Sequence, residues 1–91
     1  LTRKADILKA LAHPIRLAIV EALSGGEHCV CEIQPLLGIT QSNLSQHLAI
    51  LREQGIVDAR KDGTRVIYWL CYRQALQISA LAGDILAHRL S

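Results

Sequence analysis

Three cysteines are the residues best equipped for chemistry in this chain of 91 residues. Cys29 and Cys31 stand one residue apart in the run Glu27-His28-Cys29-Val30-Cys31-Glu32, and Cys71 lies far downstream. A thiolate is a nucleophile, a redox centre and a ligand for soft metal ions. Thiols at i and i+2 reach one atom only if the local helix yields. Gly25-Gly26 upstream and Pro35 downstream make this segment deformable. A Cys29–Cys31 disulfide closes a very small ring, which argues against a stable structural bridge and for metal. Cys71 can complete the Cys29/Cys31 site, pair with either thiol in a redox switch, or simply pack. Packing as an inert small hydrophobe is the alternative for all three. His28 adjoins the pair, as a fourth ligand for a zinc-like ion or as an exposed loop histidine. An odd cysteine count does not make a disulfide framework, so a reducing, cytoplasmic setting is expected.

Punctuation places these residues on five helices and one hairpin. Residues 2–12 carry Ile7, Leu8 and Leu11 at helical spacing until His13-Pro14 interrupts them. Pro14 suits the first position of a second helix, with His13 as its cap. That helix is apolar on most sides and stops at Ser24-Gly25-Gly26. A short third helix is expected from about 30 to 37, ending at Gly38. Pro35 implies that it starts late, near Glu32, or has distorted first turns. Thr40 reads as an N-cap for Gln41 to Gln54, with Leu44, Leu48 and Leu51 as one buried stripe. Runs 56–61 and 65–70 flank Lys61-Asp62-Gly63-Thr64, a strong hairpin signal. The last stretch, about 72–90, has a wide apolar stripe and no later element to cover it.

A short helix, a turn at Gly38-Ile39-Thr40, a second helix and a hairpin make a helix-turn-helix with a wing. Such a helix offers its N-terminal N–H groups to phosphate. Gln41, Ser42, Asn43 and Gln46 can read base edges, with Thr40, Ser45, His47 and Arg52 beside them. His47 would contact phosphate or pack at the groove. Arg60, Lys61 and Arg65 surround the hairpin tip as phosphate or minor-groove contacts. Polar helix faces and basic hairpins are often merely solvated; their ordered combination favours DNA.

Composition agrees and excludes much else. Apolar residues are 51% but aromatics only 3%, so Leu, Ile, Val and Ala must fill the core, which suits helices. Residues 1–91 are one domain, whose thin core a partner subunit would help. Ten basic against eight acidic residues give a net charge of +2, which permits nucleic-acid binding without demanding it. No apolar run approaches the roughly 18–20 residues of a membrane span. No glycine-rich phosphate loop and no nucleophile-plus-base signature appears, so an enzyme is not expected. The chain begins with Leu and contains no Met, so upstream residues are expected to be missing.

The runs His13-Pro14-Ile15-Arg16-Leu17, Cys29-Val30-Cys31-Glu32-Ile33, Gln41 through Arg52, Gly55-Ile56-Val57 and the Arg60-to-Tyr68 wing resemble the ArsR/SmtB repressors. The resemblance covers nearly the whole chain in order. It implies a mainly α winged helix-turn-helix with a small β-hairpin wing, dimerising through its first and last helices. Ile7, Leu8, Leu11, Leu76, Ile78, Leu81 and Ile85 would form that homodimer contact. It further implies binding to double-stranded inverted-repeat operator DNA and release when an inducer, usually a thiophilic ion, binds. Cys29-Val30-Cys31 resembles the soft-metal site of arsenite, antimonite, lead and cadmium sensors, with As(III) or a similar ion as inducer and no organic cofactor.

Two departures bear on this. A third cysteine often follows three residues after the second, where Gln34 stands, and the cadmium-type N-terminal arm with its cysteines is lacking or lost. The third position on As(III) would then come from Cys71, an exogenous thiol or solvent. A thiol-redox or polysulfide-sensing repressor pairing Cys71 with Cys29 or Cys31 is the second reading. A winged-helix protein-interaction module without DNA binding is the third. The family's interfacial zinc site is expected to be absent, because Tyr72, Gln74 and Ile85 stand where ligands would. Asp84 and His88 read as a surface pair.

Overall fold

The computed structural model describes residues 2–91. Its order is α1 (Thr2–Leu11), α2 (Pro14–Ala22), a 3-10 turn (Leu23–Gly25), β1 (His28–Cys29), α3 (Val30–Leu37), α4 (Gln41–Glu53), β2 (Val57–Asp62), β3 (Arg65–Leu70) and α5 (Gln74–Leu90). The five helices and the hairpin are those expected from the sequence. His13 caps α2: its backbone is extended and its Nδ1 accepts the Ile15 N–H at 3.1 Å, with Pro14 as first helical residue. Thr40 caps α4 by accepting the Asn43 N–H at 3.1 Å. Gly38, at φ 64, turns the chain out of α3. α4 ends where Gly55 takes φ 73 and the Ile56 N–H reaches back to the Leu51 carbonyl, a closure that favours glycine.

Two expectations are corrected. α3 begins at Val30, not near Glu32, because the Cys29 sulfur and the Glu32 carboxylate cap its first turn reciprocally. Pro35 then costs only the hydrogen bond its own N–H would have made, and the helix runs through it. The strand β1 is an element the sequence reading lacked. It pairs antiparallel with β3, His28 opposite Tyr68 and Cys29 opposite Ile67, giving a sheet in the order β1-β3-β2.

The core joins Ile19, Val20 and Leu23 of the α2 segment to Ile33 of α3, the Leu44/Leu48/Leu51 stripe of α4, and Ile56 and Val57. Ile33 and Leu44 are completely buried, so α3 and α4 each anchor in the core that α2 fills. Leu11 belongs to this core as well, at 2% exposure, and is not on an outer face as the dimer assignment implied. Leu76 and Ile78 lean on it and are partly buried. Beyond them α5 runs uncovered: Leu81 and Ile85 are 62% and 63% exposed, and Ile7 and Leu8 of α1 are exposed too. Asp84 and His88 are both exposed on α5, and no ion pair between them is formed among the described residues. No helix among the described residues is long and apolar enough to cross a membrane.

Candidate nucleic-acid interface and thiol site

With Leu44, Leu48 and Leu51 turned into the core, helical geometry forces Gln41, Ser42, Asn43, Ser45 and Gln46 outward, and all five are exposed. The Thr40 cap satisfies the Asn43 N–H and leaves those of Gln41 and Ser42 without helical partners. They sit at the positive end of the helix dipole, where an anion is favoured. The wing ends in the two-residue loop Gly63-Thr64, with Lys61 and Arg65 exposed beside it.

Four basic or imidazole residues of the expected DNA set have other partners in the fold, Arg65 among them through Glu32 at 3.6 Å. Arg60 is held by Glu27 through two bonds of 2.6 and 2.9 Å and lies 5.6 Å over the Trp69 ring. That hydrogen bond holds the Glu27 carboxyl below the usual carboxylate range. Arg52 pairs with Asp58 at 3.2 Å. His47 turns toward the junction of α1 and α2. Its ring stands 4.4 Å from that of His13, and Arg16 approaches its Nδ1 at 3.2 Å while also donating to the Lys9 and Ala10 carbonyls.

Desolvation, then the charges of His13 and Arg16, lower the His47 pKa. In the unfolded chain His47 protonates near its ordinary 6.5, whereas the folded site resists the proton. Below that pH the unfolded state therefore binds more protons, and stability falls as pH drops. The melting temperature should decline on acidification below about pH 6.5, and His47→Gln should flatten that decline. Parallel pH profiles for the two proteins would assign the acid sensitivity elsewhere.

The cysteines sit where β1 turns into α3. Cys29 has an extended backbone (φ −69, ψ 147), so the chain bends between Cys29 and Cys31 instead of following a helix. That bend brings the two sulfurs into a disulfide, with Cα atoms 5.1 Å apart. The junction thus brings together a pair that the smallness of the ring was expected to disfavour. The two sulfurs are unequal: Cys29 is buried at 3% exposure, while Cys31 is exposed. The Cys31 N–H points at the Cys29 sulfur at 3.2 Å.

Glu32 ties the surroundings together, taking the Cys29 N–H at 2.9 Å and facing His28 and Arg65 at 3.6 Å each. Those partners, the Cys29 N–H foremost, hold its carboxyl below the usual range. Arg65 also reaches the Cys31 sulfur at 3.9 Å. The sequence reading missed Glu32 as a site residue, although its spacing from Cys29 is that of a capping box. Cys71 is not brought to this pair. It lies four residues beyond Ile67, the partner of Cys29, or roughly 13 Å along the strand. Partial desolvation and the Asp58 charge push its thiol up, away from the reactive thiolate. Among the described residues no three His, Cys, Asp or Glu side chains converge as a metal cluster.

The sequence profile of the bacterial regulatory proteins of the arsR family matches residues 13–59, from the His13 cap into β2. The chain belongs to the ArsR family. The biofilm growth-associated repressor of Xylella fastidiosa is 43% identical over 74 residues, 81% of this chain and 65% of that protein. This chain thus spans slightly under two thirds of that relative's length. The crystal structure of Rv0081 from Mycobacterium tuberculosis superposes with a TM-score of 0.82 at 40% identity, covering 96% of this chain and 88% of that one. A homodimeric winged helix-turn-helix DNA-binding domain from Mycobacterium bovis, solved in solution, matches with a TM-score of 0.80 at 32% identity over 97% of this chain and 82% of that one. The ArsR-family fold is therefore the winged helix-turn-helix read from the sequence, and its relatives are transcriptional regulators.

Proposed function

We propose that this ArsR-family protein is a dimeric repressor that grips an inverted-repeat operator and lets go when a thiophilic ion occupies Cys29 and Cys31. The observation that carries the DNA reading is the outward polar start of α4 beside Lys61 and Arg65 on the wing. The repressor named among its relatives supports the regulatory part. Two-fold protein symmetry requires a two-fold site, with half-sites about one helical turn apart. An electrophoretic shift with inverted-repeat promoter DNA tests it; a protein that shifts no such DNA would be a protein-interaction module instead.

Once reduced, two thiolates held this close fit a soft ion such as As(III). The third position falls to solvent or an exogenous thiol, since Cys71 is remote. A second reading, favoured by the contact of the Cys29 and Cys31 sulfurs, is a two-electron thiol switch made by that pair itself.

Side chains on α4 and the wing should separate by role. Glutamine bonds bidentately to adenine and arginine to guanine, so Gln46→Arg should change base preference at one half-site position by about 1–3 kcal/mol. Binding-site enrichment reads this directly, and unchanged selection would remove Gln46 from base readout. Arg65→Ala should weaken all operators about equally and lower the salt slope by about one ion. A loss confined to one sequence would contradict a phosphate role.

A further inference from the structure

Cys29, 3% exposed, and Cys31, exposed, both border a cleft of about 350 Å³ between the start of α3, the start of α4 and the wing. Gln34, Gln41, Ser45 and Thr64 line it with neutral polar groups, and Arg65 is the one charged side chain among its lining residues, its ion-pair partner Glu32 standing 3.6 Å away outside that lining. A cation beside an exposed sulfur, with the positive end of α4 at the same cleft, selects for negative charge. The geometry points to a docking site for an anionic low-molecular-weight thiol, which exchanges with the Cys29–Cys31 pair through Cys31. The inference rests on the thiol-switch reading and names the reductant class for it.

The asymmetry of the two sulfurs fixes the direction of exchange. An incoming thiolate reaches the exposed Cys31 sulfur and forms a mixed disulfide there, while the buried Cys29 sulfur leaves with the bonding pair. The Cys31 N–H and the α3 N-terminus stabilise that leaving thiolate, and a better-stabilised thiolate leaves faster. A second thiolate then attacks the small molecule's own sulfur in the mixed disulfide. This frees Cys31 as a thiolate and releases the symmetrical small disulfide. Two small thiols are oxidised by two electrons, the protein disulfide is reduced by two, and solvent supplies the protons to the cysteines. The reverse sequence forms the bridge from the dithiol and the small disulfide. In the mixed disulfide the adduct lies against Gln41 and Ser45, the face offered to DNA, so operator and adduct compete.

The test compares 2-mercaptoethanesulfonate with cysteamine as reductants of the oxidised chain at low salt, with rates expressed per thiolate and intermediates trapped by acid for mass spectrometry. The sulfonate should react about tenfold faster, a preference that salt screens. The trapped adduct should map to Cys31. Arg65→Gln should bring the two rates together, while Arg65→Lys should keep the preference. Equal rates in the wild type, a preference that survives Arg65→Gln, or an adduct on Cys29 would overturn the site. Operator affinity of the oxidised and reduced chains is measured alongside. A charge preference without any affinity difference leaves the site standing and removes the switch; an affinity difference without a charge preference does the reverse.

Discussion

Cys29→Ser and Cys31→Ser should bind operator DNA as the wild type does and keep it when As(III) is added to the reduced protein. Both variants should fold. A serine hydroxyl at position 29 can accept the same N–H bonds as the sulfur it replaces, serine being a favoured N-cap, and Glu32 completes the cap from the other side. Position 31 is exposed and makes no core contact. What each variant loses is one of two soft ligands, and a hydroxyl is a poor partner for a thiophilic ion.

The fold explains why occupancy at this point would reach the DNA. Cys29 is at once a β1 residue paired with Ile67 of the wing and the cap of α3, whose Ile33 shares one core cluster with Leu44 of α4. On the proposed reading, drawing the two sulfurs onto one ion would shift the cap and the edge strand together, and with them the elements proposed to face DNA. Allosteric couplings are typically about 1–3 kcal/mol, and carrying a population from almost fully bound to almost fully free takes about 5.5. Two coupled subunits reach that range where one does not. Fluorescence anisotropy of a labelled operator, titrated with As(III), checks it. Cys71→Ser should respond like the wild type, given its distance from the pair. Release that persists in Cys31→Ser would sink the ion reading.

The helices, the turn at Gly38 and the hairpin were legible in the sequence because each carries its own local signal: a proline at a first turn, a threonine cap, glycines at positive φ, a leucine stripe at helical spacing. What was not legible is what depends on contact between distant segments. A strand of two residues has no periodicity, so β1 exists only because β3 offers an edge to it. For the same reason the sequence could place Cys29 and Cys31 one residue apart but not see that the strand-to-helix junction bends them together. Arg60 and Arg65 look alike on the hairpin, yet one is spent on Glu27 and the other faces Glu32 and Cys31. Cys71 remained an open choice until the register of β1 on β3 put it out of reach.

The second large effect concerns the uncovered end of α5. Its N-terminal part is anchored by Ala75 and by the Ser79–Glu21 hydrogen bond of 3.0 Å to α2, while Leu81, Ile85 and Leu90 are 62%, 63% and 79% exposed. Leu81 and Ile85 stand at i and i+4, on one face, and Ile7 and Leu8 of α1 are exposed as well. Contiguous exposed apolar surface marks an interaction site, and fully burying one such side chain is worth about 1.5–3 kcal/mol. In a two-fold dimer the same positions recur on both sides, so the double variant Leu81→Asp with Ile85→Asp loses that burial twice and sets like charges against each other. Each monomer should keep its fold, because neither residue contributes to the core. Its DNA affinity should drop at least about a thousandfold, the lower end of the usual gap between specific and non-specific binding. Sedimentation of the protein alone should show a monomer, and a shift assay should show the loss on the inverted repeat. A variant that stays dimeric, or a monomer that binds the operator undiminished, would mean that α5 does not set the spacing of the two reading helices.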